Sequence, residues 1–253
     1  GELNGFSGAW FQAGGGYHGM MNYWYRTATL AWLAADIDAT QMNHALRDAR
    51  AAYGLPGLLC SWNMLSSHDT PRLITTVGSA EKARLAMLMQ FTMPGVPLVY
   101  YGEEIGMEGG ADPDCRRPMR WNTADWNHTQ RDWVKCLIAM RKANAALQYG
   151  DVTVLGDRLN GSNALVFLRH TEVPGEAALV VIAAVAITNA FASMDFVDDL
   201  LSVSAGHTAA MQSSYRVAGA SALAGARSST ATSRTTTAMA RPTRPSAIST
   251  GAT

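Results

Sequence analysis

The spacing of apolar residues along the first 150 positions switches repeatedly between that of a helix and that of a buried strand. Residues 19–23 read as a short buried strand, and a helix is expected over 24–35, where Tyr25, Thr29, Trp32 and Leu33 recur near helical spacing. Met42, Leu46, Ala49 and Tyr53 fall at i, i+4, i+7 and i+11, the apolar face of a second helix that Thr40 can cap and that Gly54 and Pro56 end. The apolar-rich run 58–65 reads as a strand. Ser79 can cap a helix reaching about Thr92, with Glu81 in its first turn facing the positive end of the dipole. Pro94 and Gly95 break that helix before a strand-like run at 96–101, and residues 130–147 are amphipathic. The order strand, helix, strand, helix, strand, helix predicts a parallel α/β sheet with about three of the eight units of a closed barrel.

After Asp151 the pattern changes. Val152, Val154 and Leu155, then 164–168 and 178–182, read as strands, and Asn160-Gly161 is a hairpin signal, so a small antiparallel sheet is expected. From Ala183 the chain is rich in Ala, Ser and Thr, and beyond Asp199 it has no acidic residue while single arginines recur at 216, 227, 234, 241 and 244. Such a segment reads either as disordered or as the product of a shifted reading frame. The expected organisation is therefore a partial barrel domain over 1–148, the start of a β domain over 149–182 and a low-complexity tail over 183–253.

Composition narrows the classes. Twenty basic and twenty acidic residues cancel, so no global field favours nucleic acid or an anionic membrane, and a neutral ligand such as a sugar fits. A basic tail for nucleic acid would cluster its charge and include Lys. Cys60, Cys115 and Cys136 lack metal-ligand spacing and read as free thiols in a reducing, cytoplasmic compartment. No apolar run approaches the roughly 20 residues of a membrane span.

The densest chemistry is Ser66-Ser67-His68-Asp69-Thr70-Pro71-Arg72, an imidazole, a carboxylate and a guanidinium within five residues at the end of an apolar run. A second run, Pro94-Gly95-Val96-Pro97-Leu98-Val99-Tyr100-Tyr101, ends in Gly102-Glu103-Glu104-Ile105-Gly106, and the long loop beyond it carries Asp112-Pro113-Asp114-Cys115-Arg116-Arg117-Pro118-Met119. These stretches resemble the α-amylase superfamily, glycoside hydrolase family 13, in its cyclomaltodextrinase, neopullulanase and maltogenic amylase branch. The likeness runs from Gly1 to about Val181. It implies the C-terminal half of a (β/α)8 TIM barrel, strands five to eight, followed by the start of an antiparallel β domain.

The resemblance also implies roles. Retaining cleavage of an α-glucosidic bond uses two carboxyl groups about 5 to 5.5 Å apart. Gly1-Glu2 followed by Met20-Met21-Asn22-Tyr23 matches the family's strand-five acid/base, which makes Glu2 the candidate; a frayed terminal carboxylate is the plain alternative. Asp69 is the candidate transition-state stabiliser and His68 a sugar ligand, against a helix-capping Asp and a satisfied histidine. Arg72 either orients a carboxylate by bidentate bonding or forms a surface ion pair. Asp114 and Arg116 form a subsite wall or a salt-bridged loop, and Trp121 and Trp126 stack on sugar or pack the rim. Glu103 and Glu104 are structural in the resemblance and are set aside. The nucleophile, an Asp in a Gly-x-Arg-x-Asp setting, is nowhere in these 253 residues and is expected upstream of Gly1, so this chain by itself is expected to be inactive and poorly stable. The family often carries a structural Ca²⁺, for which no ligand cluster is legible, and the resemblance allows a homodimer in the parent enzyme. An α-glucosidase, a trehalose-forming isomerase and a non-catalytic glucan-binding fragment stay open.

Overall fold

The computed structural model describes residues 1–11, 16–155 and 164–183. Four short strands, β1 (Glu2–Leu3), β2 (Met21–Asn22), β3 (Trp62–Met64) and β4 (Val96–Leu98), pair in that order as one parallel sheet. Parallel neighbours need long crossovers. Helices α1 (Tyr23–Ala34) and α2 (Ala39–Cys60) carry the chain from β2 to β3, and α3 (Leu73–Val77) and α4 (Ala80–Thr92) from β3 to β4. The sheet stays open, with β1 and β4 at its edges. Register aligns Glu2 with Met21, Met21 with Trp62 and Trp62 with Val96, so these four side chains leave the sheet on one face. Trp62 and Val96 are 49% and 46% exposed there.

Local chemistry explains most boundaries and corrects several. Asn22 caps α1 by accepting from the Tyr25 N–H, so that helix begins one residue earlier than expected. Asp38, not Thr40, caps α2: its Oδ1 accepts from the Gln41 N–H at 2.7 Å while Gln41 Oε1 accepts from the Asp38 N–H at 2.9 Å. Two orphan donors are satisfied by this exchange, which a threonine inside the first turn cannot arrange. Gly54, at φ 66° and ψ 163°, breaks α2 without ending it. Pro56 falls in the first turn of the resumed helix, where its missing N–H costs little, and helix continues to Cys60. The expected strand over 58–65 therefore shrinks to Trp62–Met64, after Ser61 turns the chain with its N–H on the Leu58 carbonyl and its hydroxyl on that of Gly57. Gly19 is needed where β2 approaches this turn, because a Cβ there would stand 2.0 Å from the Cys60 oxygen.

Ser79 caps α4 as its sequence predicts, accepting from the Lys82 N–H. The amphipathic stretch expected as one helix is two, α5 (His128–Ala143) and α6 (Ala145–Tyr149), divided at Asn144, whose backbone is extended. Strands β5 (Asp151–Val154), β6 (Ala164–His170) and β7 (Ala177–Ala183) form an antiparallel sheet in that order. One hydrophobic core spans both sheets' helices and strands, joining Trp32, Met42, Leu88 and Met89 to Phe167 and Val180. Arg169, fully buried, extends this join by donating to the carbonyls of Thr92, Leu147 and Gly150, and Arg50 grips Asp151 through two 2.6 Å bonds. Burial pushes the Arg169 guanidinium down to about 9. The Asn160-Gly161 hairpin and the tail from 184 lie outside the described residues. No helix among the described residues is long and apolar enough to cross a membrane.

Candidate active site

The strands' C-terminal ends gather the chemistry. Tyr23 follows β2 directly, residues 65–69 follow β3, and Tyr100 to Glu103 follow β4. Glu2, on β1, is exposed and accepts a 2.9 Å hydrogen bond from the Tyr23 hydroxyl. The Tyr23 phenol is held above its ordinary range, first by partial burial, then by the hydrogen bond to Glu2 and by the negative charges of Glu2 and Asp69. A hydrogen bond with Ser67 acts in the opposite direction. One hydroxyl is thus addressed by a carboxylate from β1 and by two residues of the loop after β3.

Asp69 is itself held from two sides. His68 Nε2 lies 3.2 Å from its Oδ2, and Arg116 Nη2 lies 3.2 Å from its Oδ1. Arg116 Nε donates to the His68 carbonyl at 2.9 Å and pairs with Asp112 at 2.8 Å, while the buried Cys115 thiol donates to the same carbonyl. The loop 106–127 is therefore strapped onto the His68-Asp69 turn. A further carboxylate of the loop, Asp114, accepts from the Gly110 N–H and from Nε and Nη2 of Arg117, and these contacts, the backbone one first, pull its carboxyl below the usual range. Asp112, Asp114, Arg116 and Arg117 thus enter salt bridges, Arg116 with Asp112 and Asp69 and Arg117 with Asp114, with side chains close to half exposed. Trp121 is 81% exposed beside it, whereas Trp126 is pinned by its indole N–H to the Arg120 carbonyl.

Arg72 stands elsewhere than a substrate contact would. It is fully buried, its guanidinium 4.2 Å from the Tyr100 ring and 4.5 Å from that of Tyr101, and it donates to the Tyr101 carbonyl. The expected bidentate grip on a carboxylate is not made: Glu103 lies 4.0 Å from a single nitrogen, and Arg72 Nε and Nη2 have no hydrogen-bond partner. Glu103, 4% exposed, accepts from the Ser66 hydroxyl and the Leu73 N–H, tying β4's end to the loop after β3. Burial, outweighing these hydrogen bonds and Arg72, raises the Glu103 carboxyl above its ordinary value.

In the sequence Tyr23 reads only as the last residue of a strand. Its place at a strand end, one polar residue after the apolar pair Met20-Met21, is the available signal. Nothing local announced that Arg116 reaches back 47 residues to Asp69.

The family described as "Alpha amylase, catalytic domain" matches residues 17–155, more than half of the chain. This protein belongs to the α-amylase family. Neopullulanase 2 of Thermoactinomyces vulgaris is 42% identical over 138 residues, 54% of this chain and 24% of that protein. A cyclomaltodextrinase of Geobacillus thermopakistaniensis is 40% identical over 141 residues, 55% and 24% of the two chains. The chain thus spans about a quarter of the length of these relatives. Among solved structures, the cyclic α-maltosyl-(1→6)-maltose hydrolase of Arthrobacter globiformis in complex with maltose superposes with a TM-score of 0.65 at 31% identity, covering 72% of this chain and 40% of that one. The α-amylase family and these neighbours imply a TIM-barrel fold, of which the described residues form an open four-stranded segment. Among the described residues no group of three or more His, Cys, Asp or Glu is arranged for a metal ion.

Proposed function

We propose that these residues furnish part of the site of a retaining glycosidase acting on α-1,4-glucosidic bonds of maltooligosaccharides, cyclodextrins or related glucans. The observation that carries the reading is the Tyr23 hydroxyl, on which the influence of Glu2 and Asp69 converges from β1 and from the loop after β3. In this reading Glu2 protonates the leaving glycosidic oxygen and then draws a proton from water. Its hydrogen bond from Tyr23 aims the carboxyl. Asp69, fixed by His68 and Arg116, accepts sugar hydroxyls as the ring flattens towards the oxocarbenium-like transition state, and His68 and Trp121 bind the same sugar chain. Arg72 acts from behind, holding the end of β4 rather than touching sugar. Asp114 and Arg116 shape the wall of the site. The Asp-Pro-Asp-Cys-Arg-Arg loop favours a cyclomaltodextrinase-like or neopullulanase-like activity over an α-glucosidase or a trehalose-forming isomerase.

No Gly-x-Arg-x-Asp nucleophile motif occurs in the 253 residues, which favours, as the second reading, a glucan-binding chain without chemistry of its own. One experiment addresses both. The 253-residue chain is titrated with maltotriose while the His68 imidazole is followed by NMR, and hydrolysis of maltotriose and of cyclodextrin is assayed alongside. The expected result is a saturable His68 response, weakened at least about tenfold in Asp69→Asn, with no turnover. A His68 signal indifferent to the sugar would remove the glycan assignment, and robust turnover would remove the assignment of the nucleophile to an absent segment.

A further inference from the structure

Trp24, the residue after Tyr23, lines a cavity of about 600 Å³ together with Phe6, Ala45, Asp48, Ala51 and Ala52. That volume lies within the roughly 300–1,000 Å³ of ordinary small-ligand sites. Ala45, Asp48 and Ala52 stand at i, i+3 and i+7 on α2 and so share one face, where the alanine methyls leave the space that larger side chains would fill. Phe6 and Trp24 add two aromatic rings to the lining, 5.9 Å apart and 73° from coplanar, so that each offers a face in a different direction.

The aromatic wall is held from behind. Phe6 packs 5.2 Å from the buried Tyr53 ring, and the Tyr53 hydroxyl accepts from the Ser7 N–H at 2.9 Å. Gly8 lets the loop lie flat on α2, since a Cβ there would stand 2.8 Å from that of Ala52 and 3.0 Å from the Phe6 ring. A ligand entering this cavity meets walls already in place, which lowers the ordering cost of binding. Its polar lining is one exposed carboxylate, Asp48, which makes no hydrogen bond or ion pair among the described residues. An exposed carboxylate with no protein donor, beside two aromatic rings, suits a ligand with C–H faces for the rings and hydroxyl donors for the carboxylate. A pyranose offers both.

We infer that this cavity is a second α-glucan-binding site, separate from the strand-end site, in which a glucose unit lies against Trp24 and Phe6 and donates its hydroxyls to Asp48. The choice of an α-glucan rests on the function proposed above, whereas the site itself rests on the cavity. Both aromatic residues belong to segments that also carry strand-end residues: Phe6 follows Glu2 by four positions and Trp24 follows Tyr23 by one. A chain bound here is therefore placed beside the strand-end site.

The test follows the Trp24 indole N–H by NMR, assigned with Trp24→Phe, as the 253-residue chain is titrated with maltotriose. A saturable shift of that signal is expected, at least tenfold weaker in Asp48→Ala, a surface change, and in Ala52→Leu, which fills the cavity, and unaltered in Asp69→Asn. No Trp24 response, or a response that survives both cavity variants, overturns the inference. A Trp24 response to choline with none to maltotriose overturns it too, because it marks a cation site. If His68 responds to the sugar and Trp24 does not, this inference fails alone; if Trp24 responds and His68 does not, the strand-end reading fails alone.

Discussion

Two sets of charges lie at the same end of the parallel sheet and meet opposite fates. Glu2, His68, Asp69 and Arg116 are exposed, with side chains of the last three close to half accessible, and their side chains pair with each other, with Tyr23 and, for Arg116, with the equally exposed Asp112. Arg72 and Glu103, a few residues along the same two connections, are buried to 0% and 4% and spend their contacts on backbone groups, Ser66 and the tyrosine rings. Residue type does not separate the sets. What separates them is desolvation: an exposed carboxylate keeps lone pairs free for a ligand, while a buried one must give them to the protein or lose its charge. The exposed set is suited to chemistry and the buried set to holding the loops that carry it.

That contrast can be broken most forcefully at Arg72. Arg72→Ala empties a fully buried position and removes the bond to the Tyr101 carbonyl and the contacts with both tyrosine rings, and a loss of about 2–5 kcal/mol in the stability of the chain is expected in urea unfolding. A loss no greater than that of a surface substitution would show that the buried set carries no structural load.

Glu103→Gln sharpens the same point through pH. The folded-state pKa of Glu103 is raised above its ordinary 4.5, so the fold prefers the neutral carboxyl. Its stabilising contribution is present in full below 4.5 and is lost as pH rises from there through the raised folded-state value. Unfolding measured across that interval should show a decline in the parent that is flattened in Glu103→Gln.

Arg116→Ala probes the exposed set, and here the expected cost to stability is no more than about 1 kcal/mol, because its partners return to water. The change should instead appear as weaker maltotriose binding at His68. The gentlest measurement is the alkaline titration of the Tyr23 phenol. Removing either negative charge, in Glu2→Gln or Asp69→Asn, should bring it down towards its ordinary 10.0, with the larger shift in Glu2→Gln, which also removes the hydrogen-bond acceptor. If Asp69→Asn leaves Tyr23 unmoved, the two carboxylates do not share a site.

Much of the architecture was legible because it is encoded over short distances. Ser79 announced α4 through the acceptor it offers three residues on, and the alternation of strands and helices up to Thr92 implied parallel pairing. Where reading failed, a nearby competitor won: Asp38 took the cap from Thr40 because Gln41 could return the bond, and Gly54 bent a helix it was expected to end. The split at Asn144 has no signal in the sequence because apolar periodicity continues across it.

The sequence by itself determined the residue types at the strand ends and the order in which they arrive. Only the tertiary structure decided which of them face water. Ser66 meets Glu103 from 37 residues away, Arg116 meets Asp69 from 47, and Tyr23 meets Glu2 across a whole crossover. Whether a charge keeps its solvent depends on what packs around it, and those neighbours come from chain segments that no local pattern connects.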